Sequence, residues 1–349
     1  MRVLIVKTSS MGDVIHTLPA LTDAASEVPD VRFHWVVEEA LDEIPAWHPA
    51  VERVIPVALR RWRRRPIAAL ISGQWRGFRK SIKATDFDKV IDAQGLIKSA
   101  WIARMARGHR CGFARAAARE PLAALAYRER HAIPRGQHAV NRLRQLFAAC
   151  LGYTLPGGAP DYGIDASRFH CAATVEPYVV FLHGTTWTSK LWPEKYWLEL
   201  ARLASDAENK IYLPWGDDQE RARVERIAAE VPNVRVLDKL SLSGLAEVLS
   251  AARAVAAVDT GLAHLAAALS IPCVTVYGAT RPGLTGTVGA GQVQLRAQFE
   301  CSPCLRRECS YTGPAEVNPA CYASVDPAKV WHEMQTLMTQ AEDTHRVPL

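Results

Sequence analysis

No stretch of this 349-residue sequence approaches the roughly eighteen consecutive apolar residues of a membrane-spanning helix, so none is expected. The first residues lack a basic segment, apolar core and cleavage site. A strand-forming run starts at once, and a cytoplasmic protein is expected. There is no short internal repeat. There is also no G-x-G-x-x-G. The first strand, Val3 to Val6, leads into Lys7-Thr8-Ser9-Ser10-Met11-Gly12-Asp13, a loop with one glycine. Glu38 follows the next strand (Phe33 to Val37) where a ribose-binding acid would lie, but the missing glycines argue against a nicotinamide dinucleotide site.

A hydrophobic content of 49% and a charged content of 22% are those of an ordinary globular chain, long enough for two domains with cores of their own. The net charge of +6 is unevenly spread. Residues 1–170 carry 26 Lys+Arg against 16 Asp+Glu, or +10; residues 171–349 carry 16 against 20, or −4. The basic half suggests an anionic partner, whether nucleic acid, anionic lipid or an acidic glycolipid. The densest charge run, Arg60 to Arg65, includes Trp62 and follows the apolar run Val54 to Leu59 at a strand's end. Its alternatives are a solvated loop or a site for phosphate and carboxylate groups at a lipid interface.

Strand and helix signals alternate along both halves. In the first half a helix is expected from about Val14 to Ser26, and a strand at Val90 to Ile91 ends at Asp92-Ala93-Gln94-Gly95. Residues from Leu155 to about Ala173 read as a linker. In the second half, Tyr178 to Leu182 ends at His183-Gly184-Thr185-Thr186, helices are expected near Tyr196 to Ala204 and Asp218 to Glu230, and Lys210 to Leu213 is a strand. The stretch AVAAVDTGLAHLAAALSIPCVTVYGATRP, beginning at Ala254, organises the rest. It reads as strand, Asp259-Thr260-Gly261 turn, short alanine-rich helix, strand, and a turn at Gly278. In an open parallel sheet ligands sit beyond the carboxyl ends of strands, and a helix opening there presents free N–H groups to an anion. The alternative is an ordinary turn with Asp259 as a helix cap.

The D-T-G-L-A-H segment with its following strand-Gly-x-Thr turn resembles the signature of the lipopolysaccharide heptosyltransferases. The resemblance extends to Met1–Ala24, Asp92–Ser99 (DAQGLIKS), Phe181–Pro193 (FLHGTTWTSKLWP) and Leu213–Gly216. It implies an α/β chain of GT-B architecture: two Rossmann-like doubly wound domains facing a cleft. Residues 1–165 would bind the acceptor, 174–326 the nucleotide sugar, and 327–349 would form a helix able to pack back on the first domain. It implies an inverting transfer of L-glycero-D-manno-heptose from ADP-heptose to Kdo of Kdo-lipid A, at the cytoplasmic face of the inner membrane, with an anionic membrane surface and no nucleic acid as partner. Alternatives are addition of a second heptose, a nucleotide-sugar epimerase of the same shape, or a non-enzymatic nucleotide- or nucleic-acid-binding module.

Such a transfer needs a base for the acceptor hydroxyl, stabilisation of the leaving diphosphate, and orientation of both substrates. The resemblance implies that Asp13 is that base; its plainer and commoner role would be a cap. Thr185, Thr186 and Lys190 are expected at the phosphates, with Lys190 also acting catalytically. Asp259, Thr260, Gly261 and His264 would complete the donor site, although His264 also reads as a satisfied helix residue. The resemblance places Glu220 at the ribose. The acceptor set is Ser10, Gly12, Arg60, Arg61, Arg63, Arg64, Gln94, Lys98 and Arg119. Asp86-Phe87-Asp88 matches the D-x-D of metal-dependent glycosyltransferases but precedes a strand, and is expected as a surface turn. No cofactor or metal is therefore expected for the chemistry. Cys301, Cys304, Cys309 and Cys321 have spacings open to a structural zinc, though buried thiols or redox pairing are preferred in a cytoplasmic chain.

Overall fold

The structure is a computed structural model that describes residues 1–65, 67, 71–169 and 176–346, the last three of these by backbone alone. The chain divides into two compact units, Met1–Ile164 and Asp165–Leu349.

In the first unit β1 (Arg2–Val6), β2 (Arg32–Glu38), β3 (Val51–Val57), β4 (Asp86–Asp92), β5 (Arg107–Phe113) and β6 (Glu129–His131) form one parallel sheet in the order β3-β2-β1-β4-β5-β6. Its helices are α1 (Met11–Ile15), α2 (Leu18–Glu27), α3 (Glu43–Ala46), α4 (Leu59–Arg64), α5 (Gln74–Lys83), α6 (Ile97–Met105) and α7 (Ala139–Leu151). Val3, Leu4, Ile5 and Val6 have no exposed surface, because a parallel sheet covered on both faces needs an unbroken apolar run rather than an alternating one.

The second unit repeats the plan. β7 (Tyr178–Leu182), β8 (Lys210–Leu213), β9 (Val234–Val236), β10 (Ala254–Val258), β11 (Cys273–Tyr277) and β12 (Gln292–Arg296) pair in the order β12-β11-β10-β7-β8-β9, again all parallel. Its helices are α8 (Glu194–Asp206), α9 (Asp218–Glu230), α10 (Leu242–Ser250), α11 (Gly261–Ala268), α12 (Pro282–Thr285) and α13 (Pro327–Arg346). These are the two Rossmann-like doubly wound units that the GT-B expectation calls for. In each, strand order reverses between two central strands, β1 and β4 or β7 and β10, and that reversal leaves a crevice beyond their carboxyl ends.

Several expectations change in detail. The single helix expected from Val14 to Ser26 is two, because Pro19 lies in the first turn of α2 and restarts the chain there. Asp86-Phe87-Asp88 is not a turn but the start of β4. Asp88 accepts the Arg2 N–H at 2.7 Å and Asp86 lies 3.5 Å from Arg107, so both acids are absorbed at the sheet's beginning. The arginine run is helix α4 rather than a loop, and it does follow strand β3. The expected linker overlaps the boundary between the units, with residues 170–175 lying outside the described ones. α13 packs on α8, β10 and β11, burying Val330, Trp331, Met334, Leu337 and Met338 at helical spacing. That buried stripe packs α13 on the core of the second unit.

Candidate active site

The first crevice is built where β1 ends. Lys7 is buried, and its ammonium lies 3.2 Å from Asp13 Oδ1 and donates to the Ala93 carbonyl at 3.2 Å. The other Asp13 oxygen accepts from the Ser10 backbone N–H at 3.1 Å and the Ser10 hydroxyl at 2.8 Å. Asp13 thus caps α1 and keeps a third of its side chain exposed. Burial pushes its carboxyl up, but the Lys7 ammonium and the two Ser10 donors outweigh it, holding the group well below the usual carboxylate range. It is an ionised carboxylate at the switch point of the sheet. Gly12 is buried within α1.

The neighbouring acids are committed elsewhere. Asp92 is fully buried, and accepts from Tyr127 Oη (2.6 Å), Ser99 Oγ (2.8 Å), Gln94 N (2.9 Å) and Gly95 N (3.1 Å). Burial pushes its pKa up. It fastens the β4 turn. Glu38 is buried and accepts the Arg60 N–H at 2.9 Å, tying α4 to the end of β2. Gln94 Oε1 takes the N–H and hydroxyl of Thr8 at 2.9 and 2.8 Å, joining the β1 and β4 turns.

The second crevice is built where β7 and β10 end. Lys190 Nζ lies 2.7 Å from Asp259 Oδ2, 4.7 Å above the centre of the Trp187 ring. Thr280 donates to the same Asp259 oxygen at 2.5 Å, and Thr185 Oγ1 donates to the Asp259 carbonyl at 3.0 Å. His264 Nε2 lies 4.0 Å from Asp259 Oδ1 and is buried. Thr260 is the N-cap of α11 without a side-chain cap bond, so the first N–H groups of that eight-residue helix lack a cap from it. Thr186 is exposed beside this group. Glu220 accepts the Gly216 N–H at 2.7 Å, and its carboxylate packs against Gly184 so closely that a Cβ there would collide with it. His183 is buried between Pro214 O and Arg223, each 3.1 Å away. Burial and the Arg223 charge push its pKa down to about 4, so it is neutral. The arrangement is a lysine with a hydroxyl pair and a helix N-terminus, suited to oxyanions.

The structure thus brings Ser10, Gly12 and Asp13 together with Gln94, and separately Thr185, Lys190, Asp259, Thr260, Gly261 and His264. The arginines behave differently from one another. Arg61 is bound through two nitrogens to Glu39 at 2.9 and 2.8 Å and to Gln74 at 2.8 Å, whereas Arg60, Arg63 and Arg64 are exposed. Lys98 and Arg119 are exposed as well. Sequence reasoning missed Lys7 and the role of Thr280. A lysine directly after a buried strand was the signal for the first; the second was part of the recognised Gly-x-Thr turn.

Cys301, Cys304, Cys309 and Cys321 are free thiols lining one small pocket, and burial pushes Cys321 up to about 12. Among the described residues, the one group of three side chains placed to hold a metal is elsewhere: His109, Cys111 and Glu129, with ligand atoms within 4.8 Å. The Glu129 carboxylate already holds the Lys89 ammonium at 2.7 Å and faces His109 and His131 at 3.0 and 3.1 Å. This is an ion-paired seam across β4, β5 and β6.

Twin doubly wound units, one with an ionised carboxylate at its switch point and one with Lys190 and Asp259 paired at its own, match the two-unit plan of the GT-B glycosyltransferases. The model of glycosyltransferase family 9 (heptosyltransferase) matches residues 75–314. The chain is 50% identical to lipopolysaccharide heptosyltransferase 1 of Pseudomonas aeruginosa over 352 aligned positions, covering 98% of this chain and 99% of that one. Escherichia coli heptosyltransferase WaaC with ADP superposes with a TM-score of 0.82 at 52% identity, covering 85% of this chain and 94% of that one. The same enzyme with ADP-2-deoxy-2-fluoro heptose gives 0.79 at 50% identity over the same shares. The chain belongs to glycosyltransferase family 9, the heptosyltransferases.

Proposed function

We propose that the protein transfers L-glycero-D-manno-heptose from ADP-heptose to a Kdo residue of Kdo-lipid A, inverting the anomeric centre and building the inner core of lipopolysaccharide. The observation that carries the reading is the cluster beyond the carboxyl ends of β7 and β10, where the Lys190 ammonium, the Thr185 hydroxyl and the start of α11 gather around Asp259. The half-identical enzyme solved with ADP and with a fluoro-heptose nucleotide supports that assignment.

In this reading Lys190, Thr185, Thr186 and the first N–H groups of α11 receive the diphosphate. Asp259 orients Lys190 and, through Thr280 and Thr185, fixes the turn. The free edge of Glu220 takes the ribose hydroxyls. Negative charge grows on the leaving phosphate as the glycosidic bond breaks, and a preorganised ammonium stabilises that charge most when it is largest. Asp13 takes the acceptor hydroxyl's proton as the new bond forms, because that hydroxyl's pKa is far above any carboxylate's. Lys7 keeps Asp13 ionised and aimed, at some cost in basicity, which again favours proton transfer concerted with bond formation. Arg60, Arg63, Arg64, Lys98 and Arg119 meet the phosphates and carboxylates of the acceptor. The chemistry uses no cofactor beyond the sugar nucleotide. The acceptor is a lipid, so the protein works as a peripheral protein at the cytoplasmic face of the inner membrane.

The test supplies ADP-heptose and Kdo-lipid A to the purified protein and follows ADP release together with the acceptor's mass. One ADP per added heptose supports the reading. Product only from an acceptor that already carries a heptose would reassign it to the second addition, and sugar-nucleotide turnover without acceptor would reassign it to an epimerase or hydrolase.

A further inference from the structure

The first unit carries an apolar surface that its own fold leaves uncovered. On α6, Ile97 and Trp101 are one helical turn apart and each 51% exposed. The 3-10 helix Pro121–Ala126 packs on α6 through Ala100, Ala123 and Ala124, all buried. Side chains three apart on a 3-10 helix share a face, so turning those alanines inward turns Leu122 and Leu125 outward, 58% and 69% exposed. The Ile97 N–H donates to Glu120 at 2.6 Å, which ties the start of α6 to the start of the 3-10 helix and holds the two elements side by side. Trp75 of α5 stacks on Trp101 with ring centres 4.9 Å apart and planes 6° from parallel, extending the surface and holding the indole rigid.

Exposed Trp, Ile and Leu together are not what a solvated face requires. The rim around them is basic. Lys98 and Arg104 are exposed on α6, and Arg128 follows the 3-10 helix. α5 buries Phe78 and Ile82 while turning Arg76, Arg79 and Lys80 to solvent. The neighbouring acids are spent: Glu120 on the Ile97 N–H and Glu129 on Lys89. An apolar centre with a cationic rim matches the acyl boundary and headgroup layer of an anionic bilayer.

We propose that the face formed by Ile97, Trp101, Leu122 and Leu125, bordered by α5, seats the protein on anionic lipid. The leucines and Ile97 enter the acyl boundary, Trp101 lies at headgroup depth, and the rim cations meet lipid phosphates. The inference rests on the reading of the acceptor as a membrane glycolipid, but its test uses no acceptor. Flotation of the full chain with phosphatidylglycerol–phosphatidylcholine vesicles, against phosphatidylcholine alone, reads the partition directly. The protein floats with the anionic vesicles and is released by salt. The Leu122→Glu/Leu125→Glu protein partitions at least about tenfold less, from lost apolar burial and added charge repulsion. Leu122→Ser/Leu125→Ser, which adds no charge, falls between. ADP affinity is unchanged in both variants and certifies the fold of the second unit; an unshifted melting profile certifies the first. Wild-type protein that stays in solution, or variants that float as well as wild type, overturn the proposal. So does a wild-type dimer that the glutamates convert to a monomer, since a second copy of the chain would then cover the face. Loss of heptose transfer with vesicle binding intact would count against the proposed function and not against this surface.

Discussion

Replacing Lys190 by Ala separates its two roles. At 2.7 Å from Asp259, with only 16% and 9% of the two side chains exposed, the pair has a gross Coulomb attraction of about 6 kcal/mol at an effective dielectric of about 20. Desolvation of both charges cancels much of that, so the pair itself adds little net stability. Removing one partner is a different matter. Asp259 would remain buried as an anion with the Thr280 hydroxyl on it, at a cost of about 2–4 kcal/mol. For a unit of this size that corresponds to a melting point lower by about 5–15 °C. Turnover would fall by about two to three orders of magnitude, more than donor affinity does, because the ammonium acts on charge that develops in the transition state. The double variant Lys190→Ala/Asp259→Asn distinguishes the roles. It removes the stranded anion and keeps the Thr280 bond, so calorimetry should show most of the lost stability restored while ADP-release kinetics stay slow. Restored turnover in the double variant would refute the reasoning, since Lys190 would then serve only to neutralise Asp259. A pure rise in KM with normal kcat would limit it to anchoring the donor.

Three further outcomes are expected. Replacing Arg60, Arg63 and Arg64 together by Gln raises the KM for the glycolipid acceptor and leaves the ADP-heptose KM unchanged, whereas Arg61→Gln chiefly loosens α4 from Glu39, which steady-state kinetics and thermal melts separate. Stability falls on acidification: His48 and His183 are buried and held at about 4 in the folded state against 6.5 unfolded, so the unfolded chain takes up protons first. The contribution is fully present above about pH 6.5 and lost as pH falls towards 4, about 3 kcal/mol for each histidine, and urea titrations of His48→Gln and His183→Gln should each show a flatter pH dependence. Serine at Cys301, Cys304 and Cys309 leaves kcat within a factor of about two, as expected of thiols that take no part in the chemical step; one equivalent of tightly held zinc in the purified protein, with unfolding on chelation, would overturn the preference for thiols.

The sheet's centre could be read from the sequence because buried parallel strands leave apolar runs. Ala254–Val258, Tyr178–Leu182 and Lys210–Leu213 have the bounds their composition marks. The edges could not. Glu129–His131 is polar throughout and Arg107–Phe113 is broken by Arg107, His109, Arg110 and two glycines, with Glu129 pairing to Lys89 and His109 across the sheet instead of facing a core. Asp86–Asp88 read as a turn because acids are scarce in strands, and only the Arg2 N–H that Asp88 caps explains their place. Within the candidate site, chain spacing pointed to Asp13, Lys190 and Asp259. It could not show that Asp92 also binds Ser99 and Tyr127, that Glu38 is tied to α4, or that Arg61 is bound to Glu39, because these partners lie 7 to 35 residues away. Lys7 and Asp13 are six residues apart across a loop, a separation that no helical or strand period flags.

The most direct test of the account is turnover by Asp13→Asn with ADP-heptose and Kdo-lipid A, measured beside Glu38→Gln and Asp92→Asn. Asn keeps the shape of Asp13 and its capping of α1. A carboxylate that takes the acceptor's proton cannot be replaced by an amide, so kcat should fall by about two to four orders of magnitude with both substrate affinities retained. Glu38→Gln should stay near wild type in rate, and Asp92→Asn should act through stability. Near-normal turnover in Asp13→Asn, with collapse in Glu38→Gln at an unchanged melting point, would contradict the central claim.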